Sequence, residues 1–390
     1  MNYFEGLAFY LVMILILIPA MILGMMEKKQ GWYQLASSVV ILVLVFANRR
    51  EEFLFLTLFL AWSISLIWLY LHLRRTRGRK ERLFHLILIL ALLPLAACKI
   101  SPLFSGSLFA FTGISYLTFR VLQILIEIYD GVIGSLSLPE TLAFFLFFPS
   151  FSSGPIDRSR RFGEDYHRQR SREEYLSLCG DGILHLLVGA VYKFVLAAFF
   201  FKAMGYLDSE EASWYLWIGY AYAYSGYLFF DFAGYSRMAK GCGCILGTSL
   251  PDNFRAPFIS KDIREFWDRW HISLSHWFRD FVFTRFVMYS TKRKWFKDRL
   301  QRACAGFLLN MTIMGMWHGL TPSYVLYGIY HGCLLALTEI WQKKSAFHKR
   351  NKNKKWYQIL SWAVTMQLVI FGFFLFSGKL IELVQASQNR

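Results

Sequence analysis

His318 stands in Asn310-Met-Thr-Ile-Met-Gly-Met-Trp-His-Gly319, an apolar run in which an ionisable side chain is costly and normally faces a polar interior or a water-filled cavity. Thr321-Pro322 follows at once and cannot continue a regular helix, so backbone groups beside the histidine are freed and need water or protein partners. A second imidazole, His271, lies in Phe266-Trp-Asp-Arg-Trp-His-Ile-Ser-Leu-Ser-His-Trp-Phe-Arg-Asp280, where Asp268, Arg269, Arg279 and Asp280 are available to orient it. Imidazole is the side chain best matched to proton transfer near neutral pH. Two of them in one interior point to acyl transfer or proton transport.

The other histidines have plainer readings. His72, His85, His167 and His348 belong to or border basic loops, and His185 opens an apolar span as a hydrogen-bonded structural residue. His276 and Asp280 are one helical turn apart, a spacing some soluble acyltransferases use, but the simpler reading is a structural ion pair. His331 closes Tyr327-Gly-Ile-Tyr-His-Gly332. No G-x-S-x-G elbow, H-E-x-x-H or Walker sequence occurs, which removes serine-hydrolase, metalloprotease and nucleotide-driven readings. Of the six cysteines only Cys242-Gly-Cys244 is close-spaced, and no second pair completes a zinc site, so no metal is expected.

The elements that must position these groups are membrane helices. Hydrophobic residues are 56% of the chain and charged residues 18%, with the apolar residues gathered into runs. The excess of 43 Lys+Arg over 26 Asp+Glu falls between those runs, as the positive-inside rule requires, so the +17 charge implies a bilayer and not nucleic acid. Spans are expected at 4–25, 35–47, 53–73, 83–98, 108–128, 183–201, 214–232, 304–317, 324–340 and 357–376, each allowed its flanking aromatics to cross a ~30 Å core. The first is expected to be a retained span, since no basic n-region or cleavage site marks a signal peptide. Basic loops at 74–82, 157–172, 292–297 and 343–355 belong in the cytoplasm, which puts both termini outside. The run 138–151 is too brief for an easy span and reads as re-entrant or interfacial, and 251–286 reads as short amphipathic helices. Within 108–128, Arg120, Glu127 and Asp130 are expected to pair with one another or with interior polar groups. The economical organisation is one membrane domain over 1–390, with peripheral helices at 1–98, a core at 107–340 and a last span at 357–377.

Arg264-Glu-Phe-Trp-Asp-Arg-Trp-His271, Phe278-Arg-Asp280 and Met316-Trp-His-Gly319 on such a scaffold resemble the membrane-bound O-acyltransferase (MBOAT) family, most of all its D-alanyl-transferring members. Phe151-Ser-Ser-Gly-Pro-Ile-Asp157, Pro251-Asp-Asn-Phe-Arg-Ala-Pro-Phe258 and Tyr327-Gly-Ile-Tyr-His-Gly332 extend the likeness over roughly residues 110 to 335. The resemblance implies an all-α ring of about ten or eleven transmembrane helices around a thinned centre, in a bacterial cell membrane. It implies that His318 is the catalytic histidine and His271 its upstream companion, flanked by Asp268, Arg269, Trp270, Trp317 and Gly319 as substrate-binding candidates. It implies a donor, D-alanine thioesterified to the phosphopantetheine of a small acidic carrier protein in the cytoplasm, and an extracytoplasmic partner in teichoic acid D-alanylation. No cofactor bound by the chain itself is implied. His276 has no counterpart in the pattern and stays outside the site.

The residues themselves suggest a carrier-docking surface at Val282, Arg285, Val287 and Met288, followed by Lys292, Arg293 and Lys294; the same stretch also suits a helix at the anionic leaflet. Competing functions are O-acetylation of an extracellular polysaccharide within the same family, proton-coupled transport, and a scaffold that only anchors a carrier. Transport is disfavoured because no paired repeats are visible.

Overall fold

A computed structural model describes residues 4, 6–104, 110–208 and 214–388. The chain is an all-α, multi-pass membrane protein. Among the described residues there is no strand; an isolated antiparallel bridge joins Phe254 to Trp270. Two compact units divide the chain, one of residues 1–190 with 235–251, the other of 191–234 with 252–390.

The first unit contains α1 (Gly6–Met25), α2 (Gly31–Phe46), α3 (Arg50–Arg77), α4 (Glu81–Ile100), α5 (Ile114–Asp130), α6 (Leu138–Leu146), α7 (Ser159–His167) and α8 (Arg172–Val191). The second contains α9 (Ala198–Leu207), residues 214–234 of α10 (Trp214–Ile245), α11 (Ile263–Trp267), α12 (Ile272–Phe278), α13 (Thr284–Lys292), α14 (Arg299–His318), α15 (Pro322–Lys344), α16 (Ala346–Asn351), α17 (Lys355–Phe376) and α18 (Lys379–Gln388). Among the described residues five helical stretches are long and apolar enough to cross a membrane: Gly6–Met25, Arg50–Arg77, Glu81–Leu103, Arg172–Leu207 and Lys355–Phe376.

The helices differ from expectation mainly at their ends. The span expected at 183–201 is the middle of a 36-residue helix, 172–207, which passes through a π-helical turn at Tyr192–Ala197. The one expected at 214–232 runs on to Ile245. Charge ends a hydropathy window without ending a helix: Lys193 pairs with Asp231 at 2.6 Å in the second unit, while Arg237 lies 3.4 Å from His185 in the first. The span expected from 108 begins partly outside the described residues, and its helix starts at Ile114.

Residues 138–151 form no span. The nine-residue α6 and a short 3₁₀ turn at Phe148–Ser150 are buried, and Arg120, 2% exposed, satisfies their ends. It donates to the carbonyls of Phe144 (2.5 Å), Phe145 (2.7 Å) and Ser150 (2.5 Å) and to Ser150 Oγ (2.8 Å). Irregular backbone at membrane depth needs such internal partners. Glu127 accepts from Ser159 (2.6 Å) and Gln123 (3.2 Å), and Asp130 meets Arg79 at 3.7 Å, so the three charged passengers of α5 each have a polar partner.

In the second unit α14 and α15 form an antiparallel hairpin. Asp298 caps α14 by accepting from the Gln301 amide at 2.8 Å, and Pro322 occupies the first turn of α15, where its missing N–H costs nothing. The pair packs through glycine. A Cβ at Gly315 would meet the Tyr324 carbonyl and, at 2.9 Å, the Gly328 Cα; one at Gly332 would meet the Leu308 Cα at 3.0 Å. Small residues let transmembrane backbones approach this closely.

Candidate active site

His318 is the last residue of α14, held by the turn that Gly319 and Thr321-Pro322 make into α15. Gly319 is extended, and the Tyr324 ring lies where a Cβ would sit, at 2.5 Å. Half-buried, the imidazole is boxed by rings: Trp317 at 4.6 Å between centroids, Phe376 edge-on at 5.0 Å, Tyr324 at 6.1 Å and Tyr327 at 6.4 Å. Such a box limits water and fixes ring orientation.

His271 is 4% exposed and lies at the start of α12 in the left-handed conformation (φ 44°, ψ 51°), which a non-glycine residue adopts only when its surroundings impose it. The surroundings do. The Ile272 amide donates to the Asn253 carbonyl (2.9 Å), the Ser273 hydroxyl donates to Asn253 Oδ1 (2.5 Å), and the Arg255 amide donates to the Arg269 carbonyl (3.0 Å). The Phe232 ring stands against the imidazole at 4.5 Å, and Nδ1 has no hydrogen-bond partner among the described residues. Burial, with the nearby His318 imidazole second, pushes the His271 pKa well below the usual histidine range. The two imidazoles are therefore near enough to interact.

That shift fixes a pH dependence. The folded chain keeps His271 neutral, whereas the unfolded chain takes up a proton as pH falls through ~6.5. Stability is unaffected above that pH and declines below it, by about 1.4 kcal/mol per unit from this group. Thermal melts of the solubilised protein between pH 8 and pH 5 should show a smaller acid loss for His271→Asn than for wild type; equal losses would contradict the assignment.

The flanking candidates scatter. Asp268 is exposed, Arg269 is held by Glu265 (3.0 and 2.9 Å), and Trp270 is packed among Phe254, Phe266 and Phe373 at 5.0, 5.6 and 4.7 Å. Trp317 and Gly319 adjoin His318 directly. Asp280 pairs with Arg279 at 3.1 Å. Val282, Arg285 and Val287 are half-buried, on the π-helical turn Arg279–Phe283 and α13, and Met288 is 65% exposed.

A cleft of about 160 Å³ lies against α14. Its charged end is made by Arg264, Asp268, His276 and Arg279, and its inner wall by Trp267, Asn310 and Met314. The Trp267 Nε1 and Asn310 Oδ1 atoms are buried without hydrogen-bond partners among the described residues, a donor and an acceptor in one wall. Met314 is one helical turn before His318.

Tyr327, Phe376, Phe232 and Asn253 are neighbours of the two imidazoles that residue type alone did not single out. Tyr327 lies between two imidazoles, 4.6 Å from His331, whose two nitrogens are buried without partners beside Trp267 at 5.3 Å. Tyr327 and Asn253 do fall within motifs quoted for the family likeness; Phe232 and Phe376 come from distant segments with no local signature.

The sequence signature of MBOAT, the membrane-bound O-acyltransferase family, matches residues 53–378. The chain is 39% identical to a teichoic acid D-alanyltransferase of Bacillus subtilis, covering 97% of this chain and 98% of the relative. It is 38% identical to one of Lacticaseibacillus rhamnosus, with the same two coverages. A probable alginate O-acetylase of Pseudomonas aeruginosa is 31% identical over 69% of this chain and 49% of its own length.

Proposed function

The chain belongs to the membrane-bound O-acyltransferase family and is an acyltransferase, and from that premise we propose that it moves D-alanine from a carrier-protein thioester to a hydroxyl acceptor for teichoic acid D-alanylation, with His318 as general base. The observation that carries this reading is the placement of the half-buried His318, in a box of rings at the end of α14, one turn beyond a cleft with a charged mouth.

The cleft suits a phosphopantetheine arm. Arg264 and Arg279 each pair with one carboxylate, Glu339 at 3.0 Å and Asp280 at 3.1 Å, and their remaining guanidinium donors, with His276, match a phosphodiester at the mouth. Deeper, Trp267 Nε1 and Asn310 Oδ1 match the acceptor and donor of the arm's amides, whose pairing would relieve two unsatisfied buried groups. The arm supplies the activated acyl group as a thioester; the protein's residues bind and orient it and exclude water. The unprotonated nitrogen of His318 takes the proton of the acceptor hydroxyl as its oxygen bonds to the thioester carbonyl carbon. When the tetrahedral adduct collapses, the C–S bond breaks and the departing thiolate takes that proton from the imidazolium. Neutral His271, whose Nδ1 has no partner among the described residues, is suited to position the donor or to meet charge developing on the carbonyl oxygen.

D-Alanine is preferred over acetate because the D-alanyltransferase relatives align end to end, whereas the O-acetylase relative aligns over 49% of its length. Purified protein offered D-alanyl carrier or acetyl carrier should release D-alanine from the first to a teichoic acid acceptor and leave the second loaded. Transfer of acetate alone would overturn the substrate assignment.

The carrier is expected to dock on the 279–292 surface. Val287 is half-buried, so an aspartate there would disturb packing as well as docking; Met288, 65% exposed, is the cleaner probe. Met288→Asp should weaken binding of the acidic carrier by tenfold or more (~1.4 kcal/mol) in a pull-down or calorimetric titration, with insertion unchanged. Undiminished binding would remove this surface from the account.

A further inference from the structure

From the second unit alone we infer a binding site for an anionic diacyl phospholipid, in a groove between α15 and α17 at the end of the molecule that carries the basic turn 343–355. The groove encloses about 710 Å³ and adjoins a smaller cleft of about 350 Å³ with which it shares Lys261 and Gln358. Its two ends differ in chemistry. At one end stand Lys261 and Lys352, with Lys355 in the adjoining cleft; at the other the wall is Leu334, Leu337, Val364 and Leu368.

The cations are uncommitted. Among the described residues none of Lys261, Lys352 and Lys355 has a carboxylate partner, and the Lys261 ammonium donates to a neutral amide oxygen, that of Gln358, at 3.1 Å. The two acids in the wall are already engaged. Asp262 caps α11 through the Glu265 amide (2.8 Å) and accepts from Gln342 (3.0 Å), while Glu265 accepts from Arg269 (3.0 Å) and from the Lys261 amide (2.8 Å). Between 343 and 355 there are seven Lys or Arg and no Asp or Glu, which assigns this end to the cytoplasmic leaflet.

The dimensions match one leaflet. From Lys355 to Leu368 the groove follows α17 for thirteen residues, about 20 Å at 1.5 Å per residue. Half of a ~30 Å hydrocarbon core plus one headgroup layer is also about 20 Å. Leu337 and Val364, 60% and 50% exposed, open the wall sideways to lipid, and Trp341 (49%) and Trp362 (43%) flank it as interfacial aromatics do. Basic pockets between transmembrane helices on the cytoplasmic side are where anionic headgroups bind. The site is separate from the residues assigned to catalysis, so it stands or falls independently of the reaction proposed above.

The test uses the full-length protein, delipidated in detergent and titrated with dioleoyl phosphatidylglycerol or dioleoyl phosphatidylcholine, with bound lipid counted by native mass spectrometry. One phosphatidylglycerol should be retained in preference to phosphatidylcholine. The triple variant Lys261→Gln/Lys352→Gln/Lys355→Gln should weaken its retention by about 100-fold, as expected for three headgroup-level lysines. Val364→Trp, which fills the apolar wall without changing charge, should also weaken it, and both variants should remain monodisperse with the melting temperature of wild type. Equal retention of the two lipids, or retention unchanged in both variants, would overturn the site. Displacement by glycerol 3-phosphate at the concentration at which phosphatidylglycerol binds would overturn it as a lipid site, because the acyl wall would then contribute nothing.

Discussion

Replacing His318 with alanine lowers the rate of acyl transfer by ~10² to 10⁴, the usual contribution of a positioned general base, and leaves carrier binding as it was. The proposed carrier-docking surface lies on other elements, so affinity and turnover should separate. A smaller residue also opens the box formed by Trp317, Tyr324, Tyr327 and Phe376, so His318→Gln is the stricter variant. It keeps the volume and a hydrogen-bonding end but has no basic nitrogen. Both variants should fall by similar factors in turnover number with little change in KM for the loaded carrier. A fall confined to the alanine variant would mean that filling the box matters and proton removal does not.

The second large effect comes from a residue with no side chain. Gly315 lies one turn before His318, and a side chain there collides with the Gly328 Cα and the Tyr324 carbonyl, both backbone, which cannot swing aside. Gly315→Val should cost ~1–3 kcal/mol of stability through overpacking. More to the point, it should push the end of α14 away from α15 and misplace His318, so the fraction that still folds loses tenfold or more in turnover. Met316→Ala, next in sequence but 44% exposed, should change neither. Comparison of melting temperature and turnover for the two variants checks this. A Gly315→Val protein of full activity would show that the glycine contact does not set the position of the histidine.

Much of this organisation was legible in the chain. Apolar runs separated by basic loops specify a multi-pass membrane protein because lipid admits little else, and the two interior histidines stood out because ionisable groups there are costly. Helix ends were poorly legible: α8 begins before its apolar stretch and α10 runs past its own, because Glu173, Glu174 and Asp181 in the one and Arg237 and Lys240 in the other bound hydropathy without ending a helix. The site was legible as individual residues and not as a constellation. Asp268, Arg269 and Trp270 adjoin His271 in sequence, but the left-handed turn at 271 sends them to an exposed edge, to Glu265 and into the aromatic core. What does stand against His271 is Phe232, 39 residues upstream on α10, and what closes on His318 is Phe376, 58 residues downstream on α17. Contacts at such separations depend on packing and leave no periodicity to read.

The central claim is that the acyl group leaves the carrier thioester for a hydroxyl at His318. It is tested most directly by mixing wild-type protein or His318→Gln with [14C]D-alanyl carrier and a teichoic acid acceptor, quenching at intervals and measuring label on both. Wild type should convert thioester to ester on the acceptor mole for mole, and His318→Gln should leave the label on the carrier over the same interval. Ester formed at equal rates by the two proteins would contradict the account.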